Sequence, residues 1–204
     1  MARPMMALMG VFEDVAGAEN AIAAMQTIGV RERDISLLAH EATIPAARGA
    51  IADANGTLFT PVGLAVTLVG IVLCAIPLAG LLTAGPLAIL GGAASLWRTG
   101  NPVDDLAELG VDRADAKIAH ECLRRGAIIV VALCDRPLVR RAAGALARAG
   151  AIDFRARAAA WEAEGWEYEP NAPMWSAAHV EASKEIRVSD RELLPIGDET
   201  PTAV

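Results

Sequence analysis

Two histidine–glutamate pairs carry the side chains best suited to acid–base or metal chemistry. They are His40-Glu41 and His120-Glu121. Imidazole and carboxylate groups ligate zinc and transfer protons near neutral pH. Neither pair, however, has a third ligand at a metal-binding spacing, and a two-residue match is too short to identify a site. We therefore interpret both pairs as polar surface, and we predict no metal site and no catalytic residue.

Three cysteines are the remaining candidates for chemistry: Cys74, Cys122 and Cys134. They are odd in number, far apart and without a Cys-x-x-Cys motif, which argues against a disulfide framework or a zinc site and fits a reducing compartment. Cys122 and Cys134 flank an apolar run and are predicted to be core residues, as free cysteines usually are. The chain also lacks a Gly-x-Gly-x-x-Gly motif and a P-loop. We therefore predict no cofactor and no enzymatic activity.

The elements that would position these residues begin with a β-α-β unit near the N-terminus. Met5–Phe12 is a short apolar run that predicts a strand. Asp14 can cap a helix over Val15–Ile28, which Gly29 ends. The run Asp34–Ala39 then predicts a second strand.

A second unit with the same order of elements lies nearer the other end of the chain. Ala127–Leu133 is the most apolar strand candidate, and Asp135 can cap the helix that follows. Gly150 ends this helix, and the alternating run Ile152–Arg157 predicts another strand. Two β-α-β units in one domain predict an α+β fold of the ferredoxin-like, split β-α-β type.

Between the two units lies a segment of 44 residues, Ala54–Trp97, without Asp, Glu, Lys, Arg or His. Two short helical patterns follow it, Val103–Leu109 and Arg113–Arg125. Because a soluble surface rarely lacks charge over such a length, the segment is expected to enter a bilayer or to be buried in a protein assembly. Its ends flank two halves of one domain, so both ends must lie on the same side of any membrane. Seven glycines and three prolines interrupt it, and they favour a re-entrant helical hairpin over two full crossings.

A stripe of small residues supports this hairpin. The stripe consists of Gly63, Thr67, Gly70 and Cys74. Their spacings of four, three and four place them on one helical face, and such a stripe lets helices approach closely in lipid. Trp97-Arg98 follows the apolar run directly, as a membrane-interface anchor would.

The C-terminal segment combines most of the aromatic residues with the net charge. Residues 159–204 hold ten acidic side chains against three basic ones, whereas residues 1–158 are neutral. This acidic balance argues against a nucleic-acid partner. Four rings fall where little local core is present: Trp161, Trp166, Tyr168 and Trp175. We expect them to dock on a basic surface such as that of Arg140 and Arg141, in the same chain or in a neighbour.

The chain therefore divides into four predicted segments. Residues 1–53 form the first β-α-β half, and residues 54–98 form the apolar, glycine-rich hairpin. Residues 99–158 form two helices and the second β-α-β half, and residues 159–204 form the acidic, tryptophan-containing tail.

Three stretches resemble the heat-induced YflT-like family of bacterial general stress proteins. They are GVFEDVAGAENAIAAMQTIGVRERDISLLAH (10–40), the Gly/Ala-rich apolar centre and LAELGVDRADAKIAHECLRRGAIIVVAL (106–133). The segment WEAEGWEYEP (161–170) is similar to a Trp-x-x-x-Gly-Trp feature of some such proteins. The resemblance implies a glycine-rich hydrophobic hairpin between two β-α-β halves, a membrane setting and a connection to stress. It implies no catalytic residues.

These observations predict a non-enzymatic, membrane-associated protein that oligomerises, or acts as an accessory subunit of a larger membrane complex, through the hairpin. The expected partners are a lipid bilayer or a membrane-protein complex, together with further copies of the chain. Because residues 1–9 do not form a signal peptide, the expected location is the bacterial inner membrane with the other segments on the cytoplasmic side. The alternative is a soluble homo-oligomeric scaffold or stress protein whose hairpins form a shared hydrophobic core.

Overall fold

The structure, a computed structural model, describes residues 5–40, 43, 64–68, 71–78, 81–84 and 102–183 of the 204-residue chain. Within these residues, six strands form one sheet in the order β1-β6-β2-β5-β4-β3. The strands are β1 Met5–Phe12, β2 Ile35–His40, β3 Leu64–Leu68, β4 Ile71–Leu78, β5 Leu81–Ala84 and β6 Ile128–Asp135. Every neighbouring pair of strands is antiparallel. The fold is of the α+β class, as the sequence predicts.

Five α-helices accompany the sheet in the described part of the chain. They are α1 Val15–Thr27, α2 Pro102–Glu108, α3 Arg113–Arg124, α4 Val139–Arg148 and α5 Phe154–Ala163, and residues 177–183 are also helical. Asp14, Asp112 and Asp153 cap α1, α3 and α5, since each carboxylate accepts hydrogen bonds from first-turn amides. Asp135 occupies the N-cap position of a 3-10 turn, Arg136–Leu138, that leads directly into α4, but its side chain makes no capping hydrogen bond. The predicted start of the helical segment is therefore confirmed, and the predicted side-chain cap is not.

Strand β6 lies between β1 and β2 and is covered by helices on both faces. Ile128 and Val130 belong to an apolar cluster with residues of α1 and α4. Ile129 and Val131 belong to a second cluster with residues of α2 and α3 on the opposite face. A strand that is buried on both faces needs apolar residues at successive positions, which explains the uninterrupted apolar run in this part of the sequence.

The first predicted β-α-β unit is present, and β6 separates its two strands. Both β1 and β2 pair antiparallel with β6, so they run parallel to each other on its two sides. Residues far apart in the sequence therefore form one sheet, as the prediction of a single domain requires.

The second predicted unit is incomplete because the run Ile152–Arg157 is not a strand. The backbone N–H of Ile152 donates one hydrogen bond of 2.8 Å to the carbonyl of Val11, at the outer edge of β1. The chain then leaves the sheet, since Asp153 caps α5. A capping aspartate followed by alanine-rich sequence favours a helix, and it outweighs the apolar alternation that predicts a strand. The ferredoxin-like arrangement is therefore not confirmed.

The predicted helical hairpin is wrong for the described residues of the uncharged segment, which are extended in β3, β4 and β5. Strand β5 pairs with β2, with His40 opposite Leu81, and so joins these strands to the rest of the sheet. The register of β4 with β5 shifts between Cys74 and Leu78, and this interval contains Pro77, a residue that strands accept at irregular positions but helix interiors do not. Periodicity alone cannot distinguish a buried strand from a helix in a short apolar run. Among the residues described, no helix is both long and apolar enough to cross a membrane.

Gly126, at the end of α3, joins three distant parts of the chain. Its φ of 90° lies in the left-handed region that favours glycine. A Cβ added at Gly126 would overlap Cγ1 of Val180, which is fully buried there. The hydroxyl of Thr43, just beyond β2, donates a buried hydrogen bond of 2.7 Å to the Gly126 carbonyl. Gly126 is thus both a helix end and a packing contact for the C-terminal residues.

We expect Gly126→Ala to lower the free energy of unfolding more than Gly150→Ala does. Both glycines have a φ of 90°, so both variants bear a left-handed alanine at a cost of about 1–2 kcal/mol. A Cβ at Gly150 meets no atom within 4 Å. At Gly126 the collision with Val180 adds an overpacking cost of about 1–3 kcal/mol. Urea unfolding measures the difference, and equal losses would show that Val180 does not pack on Gly126.

Candidate functional site

A group of charged and aromatic side chains at the end of α3 is the most distinctive polar site in the described residues. This α3 cluster consists of Glu121, Arg124, Arg125, Trp161 and Trp175. Glu121 is almost fully buried. Its carboxylate lies 2.6 Å from Nη2 of Arg124 and 2.5 Å from Nε of Arg125. The spacings of three and four residues place all three charges on one side of the helix, so α3 supplies the ion pairs by itself.

Arg125 also contacts two indole rings. Its guanidinium carbon lies 4.0 Å from the ring centroid of Trp161, on α5, and 5.3 Å from that of Trp175. A cation near the face of tryptophan is attracted by the ring quadrupole, and the contribution reaches about 2 kcal/mol when the pair is shielded from water. Arg125 therefore links α3 to α5 and to the C-terminal segment at the same time.

Arg124 binds the C-terminal segment through its main chain and its side chain. The N–H of Trp175 donates a 3.2 Å hydrogen bond to the Arg124 carbonyl, which α3 leaves unsatisfied at its end. Nη1 of Arg124 donates a 3.3 Å hydrogen bond to the carbonyl of Pro173. These polar contacts hold the chain across the end of the helix and bring Val180 onto Gly126.

His120 and Tyr168 form a second contact between α3 and the C-terminal segment. Nδ1 of His120 lies 3.2 Å from the Tyr168 hydroxyl, and the two rings meet edge to face at 5.9 Å. Nζ of Lys117 lies 5.5 Å from the Tyr168 ring centroid. The ring of Tyr168 thus packs on α3, and its hydroxyl has a polar partner.

Burial and ion pairing set the pKa values of Glu121 and His120. Burial raises the pKa of Glu121, but hydrogen bonds from Arg124 and Arg125 lower it more, so that the pKa lies below its usual value of 4.5. Burial lowers the pKa of His120 below 6.5, against the raising effect of Glu121. The folded protein therefore favours a charged Glu121 and a neutral His120.

The buried thiols are poor nucleophiles. Burial raises the pKa of Cys122 to about 12. Burial also raises the pKa of Cys134, with a further contribution from Asp34 and Asp135. Because the thiolate is the reactive form of cysteine, neither thiol is activated at neutral pH. Both side chains belong to the core, as the sequence predicts.

The sequence-predicted aromatic residues come together, but on a different surface from the one expected. Trp161 and Tyr168 pack against the apolar cluster below α3, and Trp166 meets Trp161 edge to face at 5.9 Å. Arg140 and Arg141 are exposed on α4, which packs with α1 in the opposite cluster. Docking of the rings on these two arginines within one chain is therefore wrong. A contact with a neighbouring copy stays a prediction.

The structure also tests the histidine–glutamate pairs and part of the small-residue stripe. His120 and Glu121, interpreted from sequence as polar surface, are buried, and so is His40. The structure places Thr67 on β3 and Cys74 on β4, so they do not share a helical face. The other predicted residues of the hairpin and interface lie outside the described residues: Gly63, Gly70, Trp97 and Arg98.

The pairing of Arg124 and Arg125 with Glu121 was not predicted from the sequence, in which the two arginines indicate only a locally basic region. Their spacing from Glu121 was the available signal, because a carboxylate followed by arginines at three and four residues predicts ion pairs on a helix. Among the described residues, no group of three or more His, Cys, Asp or Glu side chains is arranged to hold a metal ion. The α3 cluster offers internal ion pairs and stacking contacts, which position the C-terminal segment.

Comparison with known proteins gives no match: no family model, no curated protein and no solved structure is similar to this chain. The resemblance to general stress proteins therefore stays a prediction.

We expect Arg125→Lys to loosen the C-terminal segment, while Arg141→Lys has no effect. Lysine keeps the charge but loses the planar guanidinium that stacks on Trp161 and Trp175. The expected loss in the free energy of unfolding is about 1–2 kcal/mol, the value of a shielded cation–π contact. Hydrogen exchange of the amides of residues 173–180 should quicken in Arg125→Lys alone. Unchanged exchange in that variant would show that the stack does not hold the segment.

We expect the protein to lose stability as the pH falls below 6.5, and His120→Phe to remove part of that loss. The folded pKa of His120 is lowered, so below pH 6.5 the unfolded chain binds a proton that the folded protein does not bind. The contribution is complete above pH 6.5 and is lost as the pH falls towards the folded pKa. Glu121 acts in the same direction below pH 4.5. Urea unfolding over a pH series measures both, and an identical decline from pH 6.5 in the variant would contradict the assignment to His120.

Proposed function

We propose that this is a non-enzymatic structural protein that assembles with copies of itself through the uncharged strands β3, β4 and β5. The observation that carries the proposal is that these strands, of 5, 8 and 4 residues, contain no charged side chain and end the sheet at β3. Edge strands of monomeric proteins are usually protected by a charge or a proline against pairing with other chains. Leu64–Leu68 carries neither.

The extended backbone favours protein over lipid as the neighbour of these strands. A strand at the edge of a sheet has N–H and C=O groups that need hydrogen-bond partners, and hydrocarbon supplies none. A strand from a second copy supplies both groups in the correct spacing. Self-assembly in which uncharged strands form a shared hydrophobic core therefore agrees best with the described backbone.

A second candidate is a membrane-associated accessory protein that docks on a larger membrane complex. The length of the uncharged run, 44 residues, and the Trp97-Arg98 pair that follows it favour this candidate. In this case the segment is buried by the complex at the inner membrane, with the helix-covered part of the sheet on the cytoplasmic side. A role in bacterial stress would fit either candidate.

We also propose a ferredoxin-like plan as the finer description of the fold, with the fourth strand reduced to one hydrogen bond. Its support is the pair of parallel strands β1 and β2 around β6. The hydrogen bond from Ile152 to Val11 occupies the outer edge of β1, where the fourth strand of such a plan would lie.

We expect Thr67→Lys, which introduces a charge into edge strand β3, to reduce the oligomer to smaller species. The same substitution at Thr27, an exposed residue at the end of α1, is the matched control and should leave the oligomer unchanged. Analytical ultracentrifugation of the full chain measures the masses, and circular dichroism checks the fold. An oligomer that survives Thr67→Lys would contradict assembly through β3.

Membrane fractionation of the wild-type chain and the same two variants distinguishes the second candidate. If all three proteins pellet equally with membranes after a high-salt wash, docking on a membrane complex is favoured. If Thr67→Lys alone leaves the membrane fraction and loses its oligomer at the same time, self-assembly is favoured.

A further inference from the structure

Two neighbouring methionines at the start of β1 have exposed side chains. Met5 and Met6 are 41% and 43% exposed, and they are the exposed large hydrophobic residues of the part of the chain that the structure describes. Met25, on α1, is fully buried. Met9 and Met174 are half-buried and pack against the apolar cluster beneath α3. Among the described methionines, Met5 and Met6 are therefore the most open to an oxidant in solution.

Met6 shares a face of the sheet with Cys134, whereas Met5 belongs to the other face. The register of β1 with β6 places Met6 directly opposite Cys134. Opposite residues of an antiparallel pair point to the same face, with their Cβ atoms about 4.5–5.5 Å apart, which a methionine side chain easily spans. Successive residues of a strand alternate between the faces, so Met5 points away from Cys134. An exposed thioether thus lies beside a thiol that is only 1% exposed.

The cover of Cys134 lies at an end of the sheet. Cys134 is the last residue but one of β6, and its neighbours Leu133 and Asp135 are only half-buried. It belongs to the apolar cluster of α1 and α4, against which Leu8 and Leu138 pack. Among the described residues, the first half of β1 has backbone partners on its β6 side alone. The thiol is therefore shielded in part by a strand end that is hydrogen-bonded along one edge.

The two sulfur groups also differ in their reactivity towards hydrogen peroxide. A thioether reacts in its only form: the sulfur lone pair attacks one peroxide oxygen and the O–O bond breaks. One proton passes to the departing hydroxide, so the products are methionine sulfoxide and water. The Cys134 thiol must first lose its proton, and burial near Asp34 and Asp135 raises its pKa. Peroxide therefore oxidises Met6 before Cys134.

We propose that Met6 is a peroxide-oxidation site and that its conversion to the sulfoxide uncovers the thiol of Cys134. Oxidation turns a flexible apolar side chain into a polar one, and a polar group held against apolar side chains without a hydrogen bond is costly. The oxidised side chain turns towards water, and the end of β1 separates from β6 more often. A core thiol thereby becomes a reactive thiol at the surface.

Mass-spectrometric peptide mapping of the full chain after graded hydrogen peroxide treatment measures the first step. We expect Met6 to form the sulfoxide at least tenfold faster than Met25. Alkylation with N-ethylmaleimide, mapped in the same way, measures the second step. Cys134 should be alkylated at least tenfold faster in the oxidised protein, whereas Cys122, buried on the opposite face, should change less than twofold. Oxidation of Met6 no faster than that of Met25, or oxidation without faster alkylation of Cys134, would overturn the proposal.

Three variants assign the effect to one sulfur atom. Met6→Leu keeps an apolar side chain of similar volume but cannot be oxidised, so peroxide should no longer speed the alkylation of Cys134. Met5→Leu is the matched control, because it removes an equally exposed methionine from the other face, and the peroxide effect should remain. Met6→Gln introduces a polar group without peroxide and should itself speed the alkylation. Circular dichroism confirms that each variant is folded.

The opposite results would contradict this assignment. A peroxide effect that persists in Met6→Leu, or that disappears in Met5→Leu, would place the responsible sulfur elsewhere. Unchanged alkylation of Cys134 in folded Met6→Gln would show that a polar side chain at this position does not open the cover.

Reversal distinguishes a local opening from general damage. Methionine sulfoxide reductases for both epimers, followed by removal of the reductant, should return the alkylation of Cys134 to its initial rate. Fast alkylation that continues after Met6 has been reduced would indicate irreversible unfolding and overturn the proposal. The site is independent of the assembly proposed through β3, which lies at the opposite end of the sheet.

Discussion

Strand β6 must be hydrogen-bonded along both edges and buried on both faces, and much of the described structure follows from this requirement. Ile128–Asp135 carries apolar residues at successive positions, so neither face of the strand is suited to water. The backbone groups along its two edges form hydrogen bonds with β1 and β2, which come from the opposite end of the sequence. The side chains on its two faces are buried by α1 and α4 on one side and by α2 and α3 on the other. Burial at about 25 cal/mol per Å² of apolar surface makes this arrangement the dominant stabilising contribution.

Helix α3 extends the same core outwards to the C-terminal segment. Its inner face packs on β6, and its end carries the buried ion pairs of Glu121 with Arg124 and Arg125. A buried carboxylate is costly unless cations and hydrogen bonds compensate it, and the two arginines do so from the same helix. With the carboxylate satisfied, their guanidinium groups still present faces to Trp161 and Trp175. The C-terminal residues therefore pack on arginine side chains that the ion pairs with Glu121 hold in place.

The two ends of the sheet are alike in lacking charge and different in their surroundings. At one end, β3 follows two other uncharged strands, which favours association with a like surface. At the other end, half of the outer edge of β1 has no backbone partner among the described residues, and Met5 and Met6 are exposed there. Where such an edge is not covered, the neighbouring side chains decide what can pair with it.

Elements with strong local signals were predictable almost to the residue. Strand Met5–Phe12 matches its apolar run, and α1 begins after the capping Asp14 and ends before Gly29. Helix α3 likewise agrees with its apolar periodicity. Predictions failed where a short run is compatible with two structures, as in Ile152–Arg157 and in the uncharged segment. Docking of the aromatic rings was predictable from their apolar area, but the choice of Arg125 as their partner was not.

Sequence-based predictions were correct where the stabilising interactions join residues close in the sequence, and they failed where the interactions join distant residues. Caps, helix-ending glycines and ion pairs at three or four residues act within one turn of the chain, so the sequence by itself determined α1, α3, the apolar strand β6 and the α+β class. The pairing of β2 with β5, the position of β6 between β1 and β2, and the contact of Val180 with Gly126 join residues more than 40 positions apart. Only the tertiary structure decided these contacts. A strand can pair with any free strand edge and an apolar side chain can pack on any apolar surface, and the particular edge or surface is present only once the sheet has formed.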